Sequence, residues 1–137
     1  MPAAQNIQEV KRLIQALPSM SSLKPEEYAE KGGWADIVIS TSSDRLKANQ
    51  LRKVFHHIKD LKREFQKVDG SFNRGKVSMV MPLLAYAKGR GHLPQDFFEL
   101  LSLCFGQDKC KTVDDFENAV NFLEAIMAYH KFYNPKE

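Results

Sequence analysis

Arg52, His56, Lys59, Arg63 and Lys67 recur at steps of four, three, four and four residues. On an α-helix such steps return to one face, so these five side chains form a ridge about 22 Å long at about 1.5 Å rise per residue. Repeated cations on a rigid rod suit contact with a phosphate backbone, which needs charge but no base-reading groups. Asp60 and Glu64 flank the ridge rather than interrupt it. Arg52, Lys59 and Arg63 are the first candidates for contact with such a phosphate backbone, with Lys53 and Lys67 beside them. Lys88 and Arg90 form a second basic group. Cations there also satisfy the last carbonyls of a helix, but Gly89 and Gly91 on either side of Arg90 permit close backbone approach. Arg74 and Lys76, in or beside the glycine-flanked stretch GSFNRG, are weaker candidates. The competing reading of the ridge is a solvated helix face.

His56 and His57 raise the possibility of acid–base cleavage of RNA. Adjacent helical residues point about 100° apart, so the two imidazoles do not converge on one scissile phosphate. The same spacing does not suit a metal, which favours histidines at i and i+4 with further ligands. His92 and His130 lack neighbours in sequence that would complete a set, and no phosphate-cradling glycine motif or nucleophile elbow is present. No catalytic residue, metal ligand or cofactor is expected.

The helix carrying the ridge is predicted from Asn49 to Val68, with Leu51, Val54, Phe55, Ile58, Leu61, Phe65 and Val68 as its buried side. Thr41, Ser42, Ser43 and Asp44 are candidate caps for its start. Upstream, Asn6–Leu17 reads as a short amphipathic helix stopped by Pro18, and Pro25 opens a helix through Lys31, ended by Gly32 and Gly33. Trp34–Ile39 is β-branched, but a lone strand would have nothing to pair with, so a short helical turn is preferred. Downstream, Lys76–Lys88 is a mostly apolar helix in which Pro82 either makes a kink or marks a fresh first turn. Tyr86 is expected in the core with its hydroxyl at the surface. A helix follows from Pro94 to Phe105, and Thr112 with Asp115 forms a capping box for a long final helix to about Phe132. That helix has two apolar stripes and carries Asp114, Asp115, Glu117 and Glu124, so an electrostatically polarised surface is expected.

A chain of 137 residues with 43% hydrophobic content can build one core. The prediction is a single all-α domain over residues 1–137, a compact bundle of five or six helices with a long basic central helix and a long C-terminal one. The longest near-apolar run, Met79–Ala87, is far short of the roughly 20 residues needed to span a bilayer. With no apolar leader at the N-terminus, a cytoplasmic protein is expected. Cys104 and Cys110 lack the partners of a zinc site, and Cys104 reads as a small buried hydrophobe. A net charge of +3 is too mild to identify a nucleic-acid binder alone.

Two segments resemble the small helical subunit of type III-A CRISPR effector complexes, the Csm interference complex. They are Asn49-Gln50-Leu51-Arg52 and Pro82-Leu83-Leu84-Ala85-Tyr86-Ala87-Lys88-Gly89-Arg90, followed by an aromatic-rich C-terminal helix. The resemblance covers residues 46–133, leaving 1–45 as a more loosely defined N-terminal part. Lys47-Ala48 departs from the family, which often caps this helix with Thr or Ser. The resemblance implies a non-catalytic helical subunit, present in several copies beside the filament of backbone subunits that carries guide RNA. Its partners would be guide RNA and target RNA, the backbone and large subunits, and other copies of itself, with no membrane. Cutting and messenger synthesis would belong to other subunits. The first rival is a helical adaptor that binds protein only, and the second a small ribonuclease.

Overall fold

The computed structural model describes residues 4–41, 48–67 and 71–135. Among them there is no strand, and the chain forms eight α-helical segments and one 3-10 turn, more than the five or six helices expected. The first half holds α1 (Ile7–Ala16), the 3-10 turn Met20–Ser22, α2 (Pro25–Tyr28), α3 (Trp34–Ser40) and α4 (Ala48–Phe65). The second holds α5 (Arg74–Ser78), α6 (Val80–Gly89), α7 (Gln95–Phe105) and α8 (Val113–Tyr133).

Local chemistry sets the boundaries. Asn6 caps α1, its side chain accepting from the Glu9 N–H at 3.0 Å. Pro25 occupies the first turn of α2, which ends at Tyr28 instead of running through Lys31, and the chain then turns at Gly32, where φ is +83°. Pro82 lies in the first turn of α6, after a break at Met79, and so marks a fresh start rather than a kink. Gly106 ends α7 where a Cβ would sit 2.7 Å from the Ser102 carbonyl oxygen. The caps Ser42, Ser43 and Asp44, and Val68 at the expected end of α4, lie outside the described residues. Thr41 instead closes α3, its hydroxyl donating to the Ile37 carbonyl at 2.6 Å.

The helix α8 is the central element of the packing. It lies against α3, α4, α7 and the 3-10 turn, while α1 packs on α7 and α3, and α6 on α4 and α7. Phe116, Ala119, Val120, Phe122, Leu123 and Ile126 are all buried, so both apolar stripes of α8 face neighbours within this chain. An aromatic chain joins the layers. The Phe65 ring lies 5.3 Å from that of Phe72 and 5.3 Å from that of Phe116, and Phe116 lies 5.8 Å from Phe105. The N-terminal turn is tied to the same core through Asn118, whose amide donates to the carbonyls of Met20 and Leu23 at 2.9 and 3.0 Å. Cys104 and Cys110 are buried free thiols. No described helix is long and apolar enough to cross a membrane.

Candidate nucleic-acid interface

The apolar positions Leu51, Val54, Ile58, Leu61 and Phe65 of α4 are buried as their spacing requires, and Phe55 is half-buried against them. At about 100° per residue this leaves one outward face and two flanks. One flank meets α8. There Lys59 Nζ lies 3.3 Å from Glu124 Oε1, Lys62 Nζ donates to Asn121 Oδ1 at 2.9 Å, and Gln66 Nε2 donates to Glu117 Oε1 at 3.0 Å. Positions rise along α4 as they fall along α8, so the two helices run antiparallel. Glu117 and Glu124 thus lie against the basic helix instead of making a separate acidic surface, which reduces the polarisation expected of the final helix.

The other flank meets α5 and α6. Lys76 of α5 forms an ion pair with Glu64. Further toward the start of α4, Lys53 and His57 face Leu83, Tyr86 and Ala87 of α6, and His92, across a cleft of about 360 Å³. Its floor is the buried Val54 and Ala87.

The outward face keeps Arg52, His56, Arg63 and Lys67, all exposed, with Lys67 just beyond the helix end. Arg63 Nη2 bonds Asp60 Oδ1 at 2.7 Å, but both side chains are about 70% exposed, and a solvent-exposed pair of this kind contributes little and opens easily. Lys59 is different: half-buried, with its ammonium 5.4 Å from the Phe55 ring centroid as well as beside Glu124, it is held to the α8 flank. The five-residue ridge therefore divides into four outward groups and one seam residue.

Lys88 sits in the last turn of α6, half-exposed, and Arg90 caps that helix. The Arg90 guanidinium lies 5.8 Å from the Tyr86 ring centroid, and Nη1 donates to the Tyr86 hydroxyl oxygen at 3.3 Å. Tyr86 itself is 67% exposed, correcting its expected place in the core. Met79 and Leu83 lie on the same exposed side of α6, and neither was singled out by the sequence. The usable signal was the four-residue spacing of Tyr86 and Arg90, which puts a cation over a ring on a helix.

Arg74, placed by its sequence in a basic loop, instead opens α5 and turns inward. Its Nε and Nη1 are buried without a hydrogen-bond partner among the described residues. It lies beside Cys110, whose thiol is pushed up to about 12 by burial, with the Arg74 charge opposing that rise. His56 and His57 point to different sides, one outward and one into the cleft. Among the described residues, no group of three or more His, Cys, Asp or Glu side chains is placed to hold a metal ion.

Residues 26–136 match the family model described as Csm2 Type III-A. The chain belongs to the Csm2 family. It is therefore a small helical subunit of the type III-A CRISPR complex, the family that the two motifs had suggested. No curated protein and no solved structure gives a significant match. The Csm2 match begins well before residue 46, where the motif resemblance starts, and so takes in α3 and all of α2 but Pro25. It leaves α1 outside, although α1 packs on α7 and α3, both within the Csm2 region.

Proposed function

We propose that this Csm2-family chain is a non-catalytic structural subunit that holds guide RNA and its paired target RNA by their phosphates. The observation that carries the reading is the outward face of α4, where Arg52, His56, Arg63 and Lys67 share one side of a rod that neither α6 nor α8 covers. Arg52 and Lys67 have no ion pair among the described residues, and the Arg63 pair is exposed, so counterion release on RNA binding is open to all three. Lys53, Lys88 and Arg90 extend this cationic field on the α6 side. Lys59 contributes less, because an approaching phosphate competes with Glu124 for it.

Such contacts are indifferent to sequence, as suits a complex in which base pairing with the guide does the reading. A few cations give slight affinity in one copy and become effective when several copies are aligned. The other proposed partners are the backbone and large subunits and further copies of this chain.

Filter retention of RNA over a salt series tests the reading. Replacing Arg52, Arg63 and Lys67 together by alanine should lower the slope of log affinity against log salt by about 2 to 3, since each phosphate contact contributes about 0.7–0.9. Lys59→Ala should change it by less than any one of these. An unchanged slope in the triple variant would leave the protein as an adaptor, a second reading favoured by the exposed Phe132 and Tyr133 at the end of α8. Cleavage of labelled RNA that disappears in His56→Ala or His57→Ala would overturn the non-catalytic assignment.

A further inference from the structure

Grooves on the described surface differ in charge. One, about 640 Å³ between α1 and α7, is lined by residues that include Lys11, Arg12 and Glu99, and Lys11 is already bonded to Glu99 at 3.1 Å. The second, at the end of α7, includes Asp108 with Lys109. The third, between α4 and α6, has Lys53, His57 and His92 on its rim and, among the described residues, no carboxylate in its lining. Its walls are Leu83 and Tyr86.

We propose that this third cleft receives one unpaired nucleobase of an RNA strand, stacked on the Tyr86 ring, with the adjoining phosphate beside Lys53. The inference rests on the RNA-binding reading above and adds a base-holding site to its phosphate-holding face. A ring 67% exposed on a helix leaves a flat apolar surface in water, and stacking with a base removes it. Arg90 bonds the Tyr86 hydroxyl, which orients the ring, and places its cation 5.8 Å from the ring centroid, beside the path of the backbone. The volume of about 360 Å³ is near the lower end for small-ligand sites, enough for one base but not for a folded partner. Lys53, His57 and His92, with no carboxylate beside them among the described lining residues, match a polyanion and disfavour a basic peptide. A base in a continuous duplex cannot reach the floor at Val54 and Ala87, so the site selects strands with an unstacked nucleotide.

The test uses the full chain and two RNAs of one sequence, single-stranded and fully paired, the single strand carrying 2-aminopurine as a stacking reporter. Tyr86→Ala should weaken single-strand binding by about tenfold or more while leaving the duplex within about twofold. Tyr86→Phe, which keeps the ring and loses only the Arg90 bond, should bind the single strand within about threefold of the native chain and still quench 2-aminopurine. The Arg52/Arg63/Lys67 alanine variant should weaken both RNAs, which separates the two proposals. Equal binding of the single strand by native protein and Tyr86→Ala would overturn the base site and leave the phosphate face standing. Normal RNA binding by Tyr86→Ala with loss of co-purifying subunits would overturn it in favour of a protein contact. Failure of the native chain to bind either RNA at high protein concentration and low salt, where even slight phosphate affinity registers, would overturn both.

Discussion

Phe116→Ala should cost about 4 kcal/mol of folding stability, within the range of about 3–5 for removing a buried ring. Phe116 is fully buried and touches Phe65 of α4 on one side and Phe105 of α7 on the other, so its removal opens a cavity where three helices meet. Neighbouring rings cannot refill that space without moving helix axes, because Phe65 is also packed against Phe72 and Phe105 has no exposed surface. With a urea dependence of about 2 kcal/mol per molar, the unfolding midpoint should fall by about 2 M. Phe116→Leu, which keeps most of the volume, should cost about 1–2 kcal/mol. Since Phe65 holds the C-terminal end of α4, the alanine variant should also lose amide-exchange protection there before the rest of α4 opens. A midpoint within about 0.5 M of the native one would show that this aromatic junction does not hold the basic helix in place.

The long helices were legible because their periodicity is sustained and their ends carry named signals. Leu51 to Phe65 repeats often enough to fix which side of α4 is buried, and Thr112 with Asp115 marks the start of α8. What lay beyond reach was the arrangement of one helix against another. A helical projection orients Lys59 relative to its own apolar face, but only the antiparallel packing of α8 brings Glu124 to it. The helix α6 shows the difficulty most plainly. Val80, Leu84 and Ala87 are buried, whereas Met79, Leu83 and Tyr86, with the same spacing one residue earlier, are exposed. Both stripes are apolar, so the sequence has no internal means of choosing between them, and Tyr86 was placed in the core. The fold class needed only local pattern. The face of α6 that completes the cleft needed the neighbours.

Asp115 should show the second large effect, and its dependence on pH identifies the cause. The residue is 2% exposed, and its carboxylate accepts three backbone donors: Ser21 N–H at 2.8 Å to one oxygen, and Lys111 N–H at 2.9 Å and Thr112 N–H at 3.1 Å to the other, while the Thr112 hydroxyl returns the bond by accepting from Asp115 N–H. Burial alone would raise its pKa, but the backbone donors of Lys111 and Ser21, with further bonds from Ser21 and Thr112, outweigh that and hold it below the ordinary carboxylate value. A carboxyl with a depressed folded-state pKa contributes stability above its unfolded value, about 3.9, and loses that contribution as pH falls through the folded one. Asp115→Ala leaves the part-buried N–H groups of Ser21, Lys111 and Thr112 without their acceptor, at a cost of about 2–3 kcal/mol at pH 7. Asp115→Asn keeps the shape and loses the charge, so it should be less stable than the native chain at pH 7 by about 1–2 kcal/mol and approach it below about pH 4. Urea midpoints measured at pH 7 and pH 3 check both. A native-to-asparagine difference that stays constant across that interval would mean that the joint between the N-terminal turn and α8 depends on shape rather than on the carboxylate charge.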